Sequence, residues 1–248
     1  MTQHGLLWAQ DHTVAMDYGH FYLQHRVAGD ELDDEIYDDL DLSDLISRAN
    51  DSDGIAWEAG TLAVLSPHQA NFEMPFRVEL LDSEPAGDLD DWEEAFETYL
   101  EWENGGLTYI SPAAGSADFP VPPGAYHVMI TGRGFVARGW PGSATPGDSW
   151  RLQLWPGDPP APVPARRLRD WRYSITVDAD AGGEPICVVR GGVAHQVAGI
   201  QYASPAQGGR RLYQLDVRTP AGASVQARLS GPNAGQAGRW ELQAWQAQ

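Results

Sequence analysis

The sequence predicts an all-β protein: two β-sandwich-like domains with one short helix near residues 42–49. Two observations carry the prediction. Apolar and polar residues alternate over short runs bounded by Gly, Pro and Asn, the period of strands rather than of amphipathic helices. Then Pro156 to Pro164, five prolines in nine residues, breaks the pattern. Such a stretch cannot supply ladder donors and reads as a stiff extended connector. It divides the chain into an acidic domain, residues 1–160, and a C-terminal β domain, residues 165–248.

Taken in order, the expected strands are His12 to Gln24, Gly54 to Leu65, Asn71 to Leu81, Gly124 to Gly132, Trp150 to Trp155, Tyr173 to Ala179, Ile186 to Val189, Arg211 to Arg218, Ser224 to Ser230 and Arg239 to Ala244. A helix from Leu42 to Ala49 follows from apolar residues at 42, 45 and 46, with Ser43 or Asp41 as cap and Arg48 near its end. Residues 88 to 110 admit two readings. As a helix, Trp92, Phe96, Tyr99 and Leu100 face inward and Glu93, Glu97 and Glu101 form a ridge of like charges. As a hairpin, Phe96, Thr98, Leu100 and Trp102 alternate inward and Asn104-Gly105 makes the turn to Leu107–Ile110. The hairpin is preferred, because the ridge is repulsive at each step, and on either reading the glutamates are expected to stay exposed. Tyr126 to Ile130 followed by Trp150 to Trp155 is echoed by Tyr213 to Val217 followed by Trp240 to Trp245. Each copy reads as a strand pair, which makes the C-terminal domain a candidate diverged partial repeat.

The net charge of the 248-residue chain is −19, and it is localised. Residues 1 to 110 hold 15 Asp, 11 Glu and 3 Arg, a net −23; the remainder holds 9 acids and 13 Arg, a net +4. A field of one sign repels nucleic acid and steers cationic partners, so the front half suits a basic protein surface. All 16 bases are Arg, which fits a GC-rich genome as well as a need for planar cations. A single Cys187 precludes an internal disulfide framework and, in a valine-rich run, reads as a buried thiol. With no basic start followed by an apolar run and no 18-residue apolar stretch, a cytoplasmic protein with no membrane span is expected.

Tests for catalytic and metal chemistry give little. Asp51-Ser-Asp53-Gly54 resembles part of a calcium loop, but Ala49 and Gly60 would occupy ligand positions one and twelve. Seven scattered His and one Cys offer no zinc spacing, so neither a metal nor a cofactor is expected. Gly-x-Ser-x-Gly is absent, and neither Gly132-Arg-Gly134 nor Gly191-Gly192 opens a helix as a phosphate loop does. An enzyme would have to gather His20, His127 and His195 from distant positions. Most tryptophans suit a core, whereas Gly139-Trp140-Pro141-Gly142 is turn-like and leaves Trp140 available to a carbohydrate or small ligand. The cluster Arg166, Arg167, Arg169 and Arg172 reads as a set of partners for acids of the preceding half.

Read in order, Tyr18-Gly-His20-Phe21-Tyr22, Asp53-Gly54-Ile-Ala-Trp57-Glu58, Met74-Pro75-Phe76 and Phe119-Pro-Val-Pro-Pro-Gly124-Ala-Tyr126 resemble segments of the competence protein J family, small acidic inhibitors of the bacterial DNA-entry nuclease. The resemblance covers residues 8 to 135 and rests on turns and strand entries. The chain departs from it in the acid-rich run at 29 to 41 and in an added C-terminal portion of about 110 residues. The resemblance implies a fold, and a family of inhibitors implies acids set against a basic, DNA-receiving cleft. The leading expectation is therefore a non-enzymatic inhibitor or immunity protein. The candidate contact residues are Asp33, Asp34, Glu35, Asp38, Asp39 and Asp41 with Glu93, Glu94, Glu97 and Glu101, of which Glu97 and Glu101, with Glu103, approximate phosphate spacing along a strand.

Overall fold

The structure, a computed structural model, describes residues 5–25, 41–58, 60–102, 105–135, 147–158, 165–190, 193–204, 210–233 and 238–247. The acids Asp33, Asp34, Glu35, Asp38 and Asp39, Glu103, Trp140 and most of the proline-rich stretch lie outside these residues. The protein is all-β, as expected. Its elements are β1 (Leu6–Met16), β2 (His20–His25), α1 (Leu42–Asp51), β3 (Ile55–Glu58), β4 (Thr61–Leu65), β5 (Asn71–Leu81), β6 (Glu94–Trp102), β7 (Leu107–Ser111), β8 (Gly115–Phe119), β9 (Gly124–Arg133), β10 (Ser149–Pro156), β11 (Arg166–Arg169), β12 (Ile175–Ala179), β13 (Pro185–Arg190), β14 (Val193–Ala203), β15 (Arg210–Arg218), β16 (Ser224–Pro232) and β17 (Glu241–Ala247).

Three sheets result. The first runs β1-β5-β10-β9-β6-β11, the second β3-β4-β2-β7-β8, and the third β12 through β17 in sequence order. Alternation does the work in the first two: Met74, Phe76 and Val78 of β5, Phe96 and Leu100 of β6 and Trp150, Leu152 and Leu154 of β10 meet Phe21 and Leu23 of β2 and Leu107 and Tyr109 of β7 in one core. Phe21 sits at its centre, its ring 5.2 Å from Trp150 and 5.3 Å from Tyr109. The third sheet buries one face, with Val188, Tyr213, Leu215, Leu229, Leu242 and Trp245 as its core. It curls enough that His195 of β14 reaches Trp245 of β17, three strands away, at a ring distance of 4.9 Å. Trp171 packs against both cores and joins the third sheet to the first.

Several expectations change. His12 to Gln24 and Gly54 to Leu65 are each two strands, broken at Asp17–Gly19 and before Gly60, where Gly19 and Gly60 have φ of 73° and 77°. β6 and β7 are both strands, but they do not form a hairpin. β6 pairs with β9 and β11 in the first sheet, and β7 pairs with β2 and β8 in the second. The inward row Phe96, Leu100 and Trp102 is covered across the sandwich, not by the neighbouring run, so the chain arches between layers. The echo at Tyr213 and Trp240 is likewise no strand pair: β9 and β10 are hydrogen-bonded, whereas β16 lies between β15 and β17. Short β8, charged β11 and β14 escape the sequence pattern altogether.

Candidate binding surface

The helix and the second sheet build an acidic face. Asp41 caps α1, its carboxylate accepting from the N–H groups of Ser43 and Asp44 at 2.9 and 3.1 Å. Leu45 and Ala49 of α1 then lie on Tyr22, Ala56 and Ala63 of the sheet. This places Asp41, Asp44 and Asp51 toward solvent, with Asp53, Glu58 and Asp118 exposed beyond them. Arg48 is the one arginine among the described residues of α1 and this sheet face, and Asp44 and Glu58 both hold it. His20 shares the face, and burial lowers its pKa against the opposing effects of the Tyr18 carbonyl and Asp17.

The opposite face, on the first sheet, is mixed in charge. Arg77 reaches both Asp11 and Glu79, and Arg151 grips Asp88 through two hydrogen bonds of 2.7 and 2.8 Å. The guanidinium groups of Arg133 and Arg151 both lie over the Trp92 ring, at 4.6 and 4.4 Å. These residues line a groove of about 410 Å³ whose charges largely satisfy one another.

The expected exposure of the glutamates around β6 does not hold for two of them. Glu93 and Glu94 are buried. Glu93 lies 2.5 Å from Arg190 of β13 and accepts from the N–H groups of Gly134 and Phe135. Glu94 points into the sandwich, 2.6 Å from Arg167, and accepts from Trp171 N–H at 3.1 Å. Burial pushes its carboxyl up to about 8, outweighing the Arg167 guanidinium and the Trp171 N–H. Glu97 pairs with Arg166 at 2.7 Å and Asp90 with Arg169 at 3.0 Å. Arg166, Arg167 and Arg169 therefore serve acids of the front half, the pairing the sequence suggested, whereas Arg172 pairs with Asp170 of its own segment at 2.6 Å. Only Glu101 of the four glutamates is exposed without an ion pair among the described residues.

His20, His127 and His195 do not come together. They belong to the second, first and third sheets, and each packs against an aromatic ring: Tyr22, Trp155 and Trp245 respectively. Gly54, the fragment of a calcium loop, has a structural reason to be glycine. Its φ is 84°, and a Cβ there would collide with the Arg167 guanidinium. Among the described residues no group of three or more His, Cys, Asp or Glu could hold a metal ion, and no helix is long and apolar enough to cross a membrane.

No family model and no curated protein matches the chain. Two solved structures are similar to it over 61% of its length. One is ComJ, inhibitor of the DNA degrading activity of NucA, from Bacillus subtilis, with 97% of that chain covered, 14% identity and a TM-score of 0.40. The other is Crocagin biosynthetic gene J, with 98% covered, 16% identity and a TM-score of 0.39. The likeness is one of fold, and no residue's role is taken from it.

Proposed function

We propose that this chain is a non-enzymatic binding protein that occludes a basic protein surface, a DNA-degrading nuclease being the partner class whose cleft has the required charge. One observation carries the reading: charge is partitioned across the sandwich. Arginines of the first and third sheets take Asp88, Asp90, Glu93, Glu94 and Glu97, while α1 and the second sheet present Asp41, Asp44, Asp51, Asp53 and Glu58 with Arg48 as counterweight. The acid-rich run holding Asp33, Asp34, Glu35, Asp38 and Asp39 immediately precedes α1 in the sequence and adds to its negative charge. The contact set is therefore this run, Asp41, the solvent side of α1 and Glu101; Glu93 and Glu94 belong to the interior. A face of one sign speeds encounter with a basic partner and makes binding salt-sensitive.

The test uses a panel of purified basic DNA-degrading nucleases, with cleavage measured against increasing chain at about 50 and 300 mM salt. Inhibition of a panel member that weakens with salt, and weakens again when Asp33, Asp34, Asp38, Asp39, Asp44 and Asp51 are changed to Asn, is expected. Cleavage unaffected across the panel, or inhibition indifferent to the six changes, overturns the reading.

A further inference from the structure

Two large aromatic side chains stand in water at one end of the sandwich, and in both cases an irregular backbone puts them there. Tyr18, in the turn between β1 and β2, is 59% exposed and is the sole non-glycine among the described residues with positive φ, 58°. A bulky residue pays for that left-handed conformation, which glycine adopts freely. Phe72 is 64% exposed although Asn71 and Met74 on either side are buried. The cause is a bulge: Val14 faces Met74 and Met16 faces Asn71, so Phe72 and Glu73 together oppose Ala15 alone.

The two irregularities adjoin. The turn carrying Tyr18 leaves β1 directly after Met16, the partner of Asn71, and Gly19 N–H donates to the Gln69 carbonyl just ahead of β5. Both aromatics are flanked by acids. Asp17 precedes Tyr18 and accepts its N–H at 2.8 Å, and exposed Glu73 follows Phe72; neither acid has an ion-pair partner among the described residues. Scattered exposed apolar residues are ordinary, but two exposed aromatics set on adjoining irregular backbone have the composition of an interface anchor.

We propose that Tyr18 and Phe72, at the end of the sandwich where β1 passes to β2, are an apolar anchor beside the acidic face, inserting into a socket on a basic protein whose rim is read by Asp17 and Glu73. The inference rests on the proposed occlusion of a basic partner and deepens it: the acids bring the partner in, and the aromatics hold it. The two contributions separate kinetically, because rim charges act mainly on association and buried aromatics mainly on dissociation.

The experiment compares wild type, Tyr18→Gly, Phe72→Ser, their double variant and the six-Asn charge variant, with the panel nuclease that wild type inhibits as the probe. Tyr18→Gly relieves the backbone, so its melting temperature is expected at or above that of wild type, which separates lost binding from lost folding. Each aromatic change is expected to weaken Kd about thirtyfold through dissociation. The charge variant is expected to slow association and flatten the salt dependence. Aromatic variants within about threefold of wild type, beside a charge variant that has lost binding, overturn the anchor and leave the acidic face standing. Indifference of binding to both sets overturns the acidic reading as well. A dimer in sedimentation that the double variant dissolves assigns the patch to a second copy and also overturns the anchor.

Discussion

Replacing Arg190 with Met tests whether the third sheet is tied to the front of the protein by charge that has left water. Arg190 and Glu93 have side-chain exposures of 9% and 8% at 2.5 Å separation, so the change strands a buried carboxylate. Breaking a buried pair by removing one partner costs about 3–5 kcal/mol. Glu93 keeps the N–H groups of Gly134 and Phe135, at 2.8 and 2.9 Å, which puts this part near 3 kcal/mol. Arg190 also donates to the Phe135 carbonyl and lies over Trp245 at 5.2 Å, together about 1 kcal/mol more. A loss of about 4 kcal/mol is expected, read by urea unfolding as a fall in midpoint on the order of 1–2 M. Adding Glu93→Gln removes the stranded charge and restores about 2 kcal/mol, and this gain together with the cost of Glu93→Gln alone gives the coupling of the cycle. A single-variant cost under about 1 kcal/mol with additive behaviour is the signature of an exposed pair and refutes the reasoning.

Further outcomes are expected. Because burial raises the Glu94 pKa to about 8 from 4.5, its contribution to stability is complete below about 4.5 and is lost as pH rises through about 8; Glu94→Gln removes this slope from a pH series of melting temperatures between 4.5 and 9. Arg151 holds the Asp88 carboxyl below the usual range, so Asp88 stabilises above its ordinary value and stops doing so as acid is added; Asp88→Asn is expected to flatten unfolding below about pH 4. Gly54→Ala combines positive φ with a clash at Arg167 and is expected to cost more than about 2 kcal/mol, measured by urea unfolding. Buried Cys187 is expected to react with a thiol reagent slowly in the native protein and rapidly in urea.

How much of this could be read from the sequence depended on the length of the signal. β5 matches its expected bounds, Asn71 to Leu81, because eleven residues of alternation leave no other period. The helix was equally legible from local residue chemistry, its cap was narrowed to Ser43 or Asp41, and three of the four clustered arginines found the acids expected of them. Layer assignment was not: nothing within 94–111 says that β6 and β7 go to different sheets, because the partners of their inward rows lie at Ile130 and Leu23. The burial of Glu93 and Glu94 is hidden for the same reason. Each of these carboxyl groups is buried beside a cation that the neighbouring sequence does not show, Arg190 and Arg167 being 97 and 73 residues further along. Tyr18 carried no sequence signal of positive φ, since the following Gly19 is the residue a turn would be expected to use.

The first sheet has its middle strand late in the sequence. β10 enters between β5 and β9, parallel to one and antiparallel to the other, and brings Trp150 to the centre of the core. Until about residue 156 has left the ribosome, β5 and β9 each keep an unpaired inner edge, and the core lacks its largest fully buried side chain. Closing the sheet joins residues more than 70 apart in the chain, the kind of contact that makes folding slow. During that interval the negative charge of the first 110 residues, a net −23, opposes contact between the open edges of two nascent chains.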